Sequence, residues 1–214
     1  MLSPKRNGGL GIGDIRSLNL SLLAKWWWKL KTNDKALWGK VIKAIHSNKN
    51  SDSSFPVNNR IGGIWKDIIS VEKELAPLNL SLRDNLMGVI QSGQGLKFWL
   101  DRWHDEGLVK DCFSELFQIV KEKKASVVDI VEMGRTNRWQ DLWVKEALDS
   151  SELQQLELLK KLVRDIRIKV GPDKWTWRGT TEQDLTVANL RYKIHEAWKT
   201  DNAEAWAFGI AGFH

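Results

Sequence analysis

Large apolar side chains recur every three or four residues through most of this chain, and that spacing is the strongest constraint on its fold. One stripe runs between residues 18 and 30, and a second runs between residues 37 and 45. Such spacing places the side chains on one face of an α-helix. The polar segment 32–34 interrupts the pattern and can cap a following helix. We therefore predict helices over 17–31 and 35–46 that form a hairpin. Their predicted inward side chains are Leu18, Leu22, Leu23, Trp26, Trp27 and Leu30, and then Leu37, Trp38, Val41, Ile42 and Ile45.

The rest of the chain predicts shorter helices. Ser126 can cap one of them, and Ser151 with Gln154 resembles a capping box for another. The periodicity favours helices over 64–75, 111–121, 127–133, 151–164 and 188–198, and one more that begins near Trp139.

Two segments predict β structure. The apolar runs 85–90 and 96–100 flank a glycine-containing turn, which is typical of a hairpin. Residues 174–177 alternate strictly between polar and aromatic side chains, and we expect 185–187 to be the partner strand. The fold class is therefore α+β and predominantly α-helical, with an N-terminal Trp-rich hairpin followed by helices packed on a small antiparallel β element.

The chain divides at a polar stretch that contains a serine run, a proline and paired asparagines. We predict a basic Trp-rich helical hairpin over 1–46, a linker over 47–63, an α+β connector domain over 64–200 and an unstructured tail over 201–214.

Positive charge is concentrated at one end of the sequence. Residues 1–50 hold ten lysines and arginines against two aspartates, a net charge of +8, whereas the remainder holds 23 basic and 25 acidic residues. Such asymmetry is typical of a surface that meets a polyanion, although a solvated lysine face would look the same. The predicted nucleic-acid-binding residues are Lys25, Lys29, Lys31, Lys35, Lys40 and Lys43. Tryptophans at helical spacing are more often core residues than base-stacking platforms, so we assign none of them to the site.

Catalytic and metal-binding patterns are missing from the sequence. There is no Asp-Asp pair of the kind that holds two metal ions for phosphoryl transfer. A single cysteine, Cys112, excludes an internal disulfide and a cysteine-rich zinc site. The glycine-rich segment 7–14 lacks the spacing of a phosphate-binding loop, and Asp101, His104 and Asp105 fit a capped turn better than a metal site. We expect no catalysis by this chain alone, no cofactor and no metal.

Four blocks of sequence, in order, resemble plant LINE-type (non-LTR) retrotransposon reverse transcriptases, in the region downstream of the palm and thumb. Trp65 stands where that family has a tryptophan in a short helix. The other three blocks are GGLGI at 8–12 with NLSLLAKWWW at 19–28 and LWGKVI at 37–42; GQGLKFWLDRW at 93–103; and DKWTW at 173–177 with LTV at 185–187. The similarity spans about residues 4–198 and also accounts for 13 tryptophans beside one tyrosine.

The resemblance implies where the working parts of such a polymerase would lie. Its palm and catalytic aspartates would precede Met1, and the cysteine–histidine cluster of its zinc-binding region would follow Trp198. Asp184 also replaces an expected glycine. The chain is thus expected to be a non-catalytic connector fragment of an RNA-directed DNA polymerase.

Partners and location follow as expectations. The connector would contact an RNA or DNA backbone non-specifically and would pack on the missing polymerase portion. The alternative is a degenerate structural or protein-interaction remnant that binds no nucleic acid. No apolar run is long enough for a membrane span, and residues 1–6 lack the core of a signal peptide. We expect an intracellular protein of nucleus or cytoplasm that is not secreted.

Overall fold

The computed structural model describes residues 15–33, 36–46, 55–56, 61–178 and 185–207, and in the last of these ranges the side chains only to residue 198. The fold is α+β and predominantly helical, as predicted, with one two-stranded antiparallel sheet in the described part. Short 3-10 helices cover Ala76–Leu78 and Trp139–Leu142. The other elements are α1 Ile15–Thr32, α2 Leu37–His46, α3 Ile64–Leu75, α4 Leu82–Asn85, β1 Leu86–Val89, α5 Val109–Cys112, α6 Ser114–Ile119, α7 Val127–Arg135, α8 Ser150–Asp165, β2 Lys174–Trp177 and α9 Val187–Ala207.

The chain forms two compact units. The first unit comprises the described residues within 1–45, 58–85 and 179–214, and the second comprises those within 46–57 and 86–178. Helix α3 and helix α9 therefore share a unit with α1, whereas our sequence-based division grouped them with the later residues. Of the predicted linker 47–63, residues 55–56 and 61–63 are described, and Phe55 and Pro56 are buried.

Helix α1 is the centre of the first unit, where it packs against α3 and α9. The Trp27 indole is fully buried and its Nε1 donates a 2.7 Å hydrogen bond to the Ile68 carbonyl of α3. A buried indole N–H needs such an acceptor. At the end of the same helix, Arg16 pairs with Glu74 of α3 at 3.0 Å. These contacts set the rotation of α1 about its own axis.

The buried face of α1 differs from the predicted stripe. Leu22 and Trp26 were expected inside, but both are exposed. The contact face combines small side chains, which allow neighbouring helices to approach closely, with the large indoles of Trp27 and Trp28. The residues that α1 buries are Ser17, Leu20, Ser21, Ala24, Trp27, Trp28 and Leu30.

The predicted inward face of α2 is also wrong. Its residues Leu37, Val41 and Ile45 are 77%, 46% and 50% exposed. Helix α2 meets α1 through Trp38, whose ring contacts that of Trp26, and through Gly39, which lies against the buried Leu30. Trp38 and Ile42 are half-buried by this packing, and the other three residues of the predicted stripe face solvent.

The sheet pairs strands that we did not expect to pair. Strand β1 lies antiparallel to β2, with Leu86 opposite Trp177 and Val89 opposite Lys174. Residues 96–100, the predicted second strand of a hairpin, instead form an irregular buried segment. Its Phe98 and Trp99 are consecutive and both are fully buried, which a strand with one solvent face does not allow.

Asp173 is the reason for that pairing. One carboxylate oxygen accepts hydrogen bonds from the backbone N–H groups of Gln91 and Gly93, at 2.7 and 2.8 Å, and the other accepts from Gly95 at 2.8 Å. The charge-assisted bonds hold the loop after β1 against the residue that precedes β2. Gly93 has a φ of +70°, a conformation that favours glycine. The glycine-containing turn thus donates its backbone hydrogen bonds to Asp173 and does not connect two strands of a hairpin.

The expected partner strand 185–187 begins a helix instead. The Thr186 hydroxyl accepts a hydrogen bond from the backbone N–H of Asn189 at 3.1 Å, which is the geometry of a helix N-cap. Helix α9 then continues to Ala207, so the first seven residues of the predicted tail 201–214 are helical. Residues 208–214 lie outside the described part of the chain.

Several local predictions are confirmed and others are adjusted. Helix α3 has the predicted bounds, and Ser126 caps α7 in a full capping box with Asp129. The helix expected over 111–121 is broken at Phe113, whose backbone has φ −125° and ψ 55°. The capping box of α8 is formed by Asp149 and Glu152, two residues before the predicted pair Ser151 and Gln154.

The GQGLKFWLDRW segment supplies the framework of the second unit. Leu96, Phe98 and Trp99 are fully buried in its core. Asp101 is buried and accepts a 2.7 Å hydrogen bond from the Lys97 backbone N–H, and the Trp103 indole donates to the Phe98 carbonyl at 2.8 Å. These residues hold an irregular backbone in place.

We expect Asp173→Ala to lower the free energy of unfolding by about 2–3 kcal/mol, because three backbone donors lose a charged acceptor. Asp141→Ala is the matched control: it removes an exposed carboxylate that pairs with Arg138, and such pairs contribute roughly 0–1 kcal/mol. Urea unfolding followed by tryptophan fluorescence measures both. Equal effects of the two substitutions would contradict the role given to Asp173.

The pH dependence of helix α8 tests its cap. The backbone N–H of Glu152, and then Lys145, lower the pKa of the Asp149 carboxyl. A lowered pKa in the folded state stabilises the fold above the ordinary aspartate pKa, and this contribution is lost as the pH falls through the folded-state value. Asp149→Ala should therefore lower the urea midpoint at pH 7. In acid, the midpoints of the variant and of wild type should become equal. Ser151→Ala should leave the midpoint unchanged, and a larger effect of Ser151→Ala would show that the cap is misplaced.

Candidate nucleic-acid interface

Helices α1 and α2 carry basic side chains and no acidic ones. Their sequences, IRSLNLSLLAKWWWKLKT and LWGKVIKAIH, contain one arginine and five lysines and neither aspartate nor glutamate. Two of the lysines, Lys29 and Lys31, lie in the last turn of α1, where a positive charge complements the helix dipole. The charged side chains of these two helices are therefore all basic, which favours an anionic ligand. One of them, Arg16, is paired with Glu74 of α3.

The predicted binding residues differ in exposure. Lys29 and Lys40 are exposed, and Lys25, Lys31 and Lys43 are half-buried. Lys35 lies outside the described residues. Lys25 and Lys29 are one helical turn apart and share a face of α1. Lys29 and Lys40, one exposed lysine on each helix, are thus the strongest candidates for direct phosphate contact.

An aromatic cluster accompanies these lysines. Trp26 is 39% exposed, and its ring centroid lies 5.1 Å from that of Trp38 of α2, with an interplanar angle of 85°. The Lys29 ammonium lies 4.9 Å from the centroid of the Trp26 ring, within the range of a cation–π contact. Such a contact contributes about 0.5–1 kcal/mol at an exposed site. We call Trp26, Lys29 and Trp38 the Trp26 cluster.

Sequence reasoning placed Trp26 in the core, and the structure corrects this. Successive residues of an α-helix are rotated by about 100°, so three consecutive tryptophans cover about 200° of its surface. They cannot all face the same neighbour. The run Trp26-Trp27-Trp28 is therefore the signal that the three indoles differ in surroundings, although the run alone does not say which one is exposed.

Other candidate sites from the sequence do not assemble. Asp101 is committed to the Lys97 backbone, whereas His104 lies against Trp103 and Asp105 is exposed. Among the described residues, no three His, Cys, Asp or Glu side chains are grouped so that they could bind a metal ion. The glycine-rich segment 7–14 lies outside the described residues.

Cys112 lies in surroundings that disfavour its reactive form. Partial desolvation, followed by the charges of Glu106 and Asp111, raises the pKa of its thiol above the ordinary cysteine value. Since the thiolate is the nucleophile, the group is less reactive at neutral pH than a free cysteine.

In the part of the chain that the structure describes, every helix falls short of the length or the apolar character that crossing a bilayer requires.

Comparison with known proteins gives one partial likeness. The chain is 34% identical over 106 residues to an Arabidopsis thaliana protein named "Putative ribonuclease H protein". The aligned part is 47% of this chain and 16% of that relative, so the chain spans only a small fraction of the relative's length. No family model matches the chain, and no solved structure matches it.

Proposed function

We propose that this chain is a non-catalytic connector from a plant retroelement protein and that it binds nucleic acid without sequence specificity through α1 and α2. The observation that carries the proposal is that the charged side chains of these helices are all basic, with Lys29 and Lys40 exposed. Lysine contacts to phosphates supply affinity and position but read no bases.

Two further observations support this proposal. The similarity to an Arabidopsis thaliana protein with a ribonuclease H name points to a protein class that acts on nucleic acid. This chain also resembles reverse transcriptases of LINE-type elements, in the segment between the polymerase and the zinc-binding region of those proteins. The motifs of that resemblance hold Asp101 and Asp173, which act in the fold through hydrogen bonds to the backbone, as a connector would use them.

The salt dependence of binding tests the proposal. Each phosphate neutralised on duplex DNA contributes about −0.9 to the slope of log affinity against log salt concentration. The double substitution Lys29→Gln with Lys40→Gln should therefore reduce the magnitude of that slope by about 1.8. Fluorescence anisotropy with a labelled duplex, titrated at several salt concentrations, measures the slope.

The matched control is Lys121→Gln with Lys161→Gln, which removes the same charge from exposed lysines of the second unit. It should leave the slope near the wild-type value. If both double variants change the slope equally, only the net charge matters and α1 and α2 are not the interface. Absence of salt-dependent binding to RNA or DNA at low ionic strength rejects the function altogether.

A second candidate function is a protein-interaction surface. The observation in its favour is the exposed stripe on α2, formed by Leu37, Val41 and Ile45. An exposed apolar stripe of this kind often marks a protein contact. Val41→Asn should then reduce self-association in sedimentation velocity and leave nucleic-acid binding unchanged. The reverse pattern would favour the nucleic-acid proposal.

A further inference from the structure

We infer that the Trp26 cluster is a stacking site for an unpaired base, so that the preferred ligand of this surface is single-stranded nucleic acid. The inference rests on the proposed function and adds to it the class of ligand. The starting observation is the contrast within one tryptophan run: Trp27 is fully buried, whereas Trp26 is 39% exposed.

Packing explains Trp27 but not the placement of Trp26. Trp27 fills the space between α1 and α3 and satisfies its N–H on Ile68. Trp26 instead presents part of its ring to solvent, held by edge contact with Trp38 at 5.1 Å. A large aromatic ring that is exposed and held in orientation by a neighbour is the arrangement that proteins use to stack bases.

The charges around the ring select the ligand. Lys29 lies over the Trp26 ring, Lys25 precedes it in sequence and Lys40 is exposed on α2. An acidic side chain is absent from the sequences of both helices. A partner that is both planar-aromatic and anionic matches this set, and a nucleotide is such a partner. An apolar protein surface would cover the ring but would leave the lysines without counter-charges.

Base pairing determines whether a single strand or a duplex can stack a base on Trp26. In a duplex, each base is stacked between its neighbours and its ring faces are closed to an indole, whereas an unpaired base offers an open face. When such a base stacks on Trp26, the Lys29 ammonium moves from the ring toward the phosphate of the same nucleotide. The weak cation–π contact is exchanged for a stacked base and a phosphate contact, both of which strengthen binding.

Three ligands with the same number of phosphates test the inference on the full chain: an oligo-dT strand of about 20 nucleotides, an abasic strand of equal length and a duplex. A stacked base contributes about a 5- to 150-fold factor in affinity. Wild type should bind oligo-dT tighter than the abasic strand by a factor in that range. Trp26→Leu should lower oligo-dT affinity to the abasic value, leaving abasic affinity and the salt slope unchanged.

Two variants control this measurement. Leu22→Ala removes another exposed apolar side chain, one turn earlier on α1, and should leave all three affinities unchanged. Trp26→Phe keeps an aromatic ring and should give an intermediate affinity for oligo-dT. If Trp26→Leu loses helical circular dichroism, Trp26→Phe and the following cross-link still decide.

Cross-linking locates the base on the wild-type protein. A strand with 5-bromouracil, irradiated in the complex and digested with trypsin, should modify the peptide 26–29, and Trp26→Phe should reduce that product. Cross-links confined to other peptides overturn the inference, as does equal affinity of wild type for oligo-dT and the abasic strand.

The outcomes separate this inference from the proposed function. Salt-dependent binding without a preference for bases would reject only the stacking site. Absence of all nucleic-acid binding would reject both the stacking site and the proposed function. If Trp26→Leu changes self-association in sedimentation velocity and leaves oligo-dT binding unchanged, the cluster is a protein contact and the inference is wrong.

Discussion

The buried indole of Trp27 determines what the rest of the first unit can display. Its hydrogen bond to the Ile68 carbonyl joins α1 to α3 and fixes the rotation of α1 about its axis. With that rotation set, helix geometry places Trp26 about 100° around the helix from Trp27, and Lys29 lies about one turn further along on the side of Trp26. The surface that we propose for nucleic acid is thus a consequence of how the helix is buried.

The second unit depends in a similar way on one carboxylate. The Asp173 carboxylate accepts hydrogen bonds from three backbone N–H groups of a loop about 80 residues earlier in the chain. These bonds hold β1 beside β2. The residues that carry the resemblance to reverse transcriptases, among them Asp101 and Trp103, also act through backbone contacts. Both Asp101 and Asp173 thus hold irregular backbone in place.

Charge and apolar exposure occur together on α1 and α2. Lysines alone would fit a solvated face, and the stripe of Leu37, Val41 and Ile45 alone would fit a protein contact. The Trp26 cluster combines an open aromatic ring with an ammonium group, and this combination suits a nucleotide better than either simpler partner. Added salt weakens the electrostatic contribution to binding, whereas base stacking depends little on salt. The two contributions can therefore be measured separately.

Local sequence determined much of the fold. Periodic apolar residues placed α1, α3 and α8 within one or two residues, Ser126 marked the start of α7, and alternation identified β2. The lysine-rich segment was also visible in the sequence, because composition needs no coordinates. These features depend on residues close together in the chain, so their physical causes can be read there.

Tertiary structure alone decided which faces are buried and which strands pair. The partner of β2 was set by Asp173 reaching a distant glycine turn, and the exposure of Trp26 followed from the packing of α1 on α3 and α9. Both are long-range choices between locally equivalent options: Trp27 and Trp28 are buried and Trp26 is exposed, and the contact of Trp27 with the Ile68 carbonyl lies outside the local sequence. The sequence by itself therefore determined the helices and their charge, and the packing between them decided where that charge meets an exposed aromatic ring.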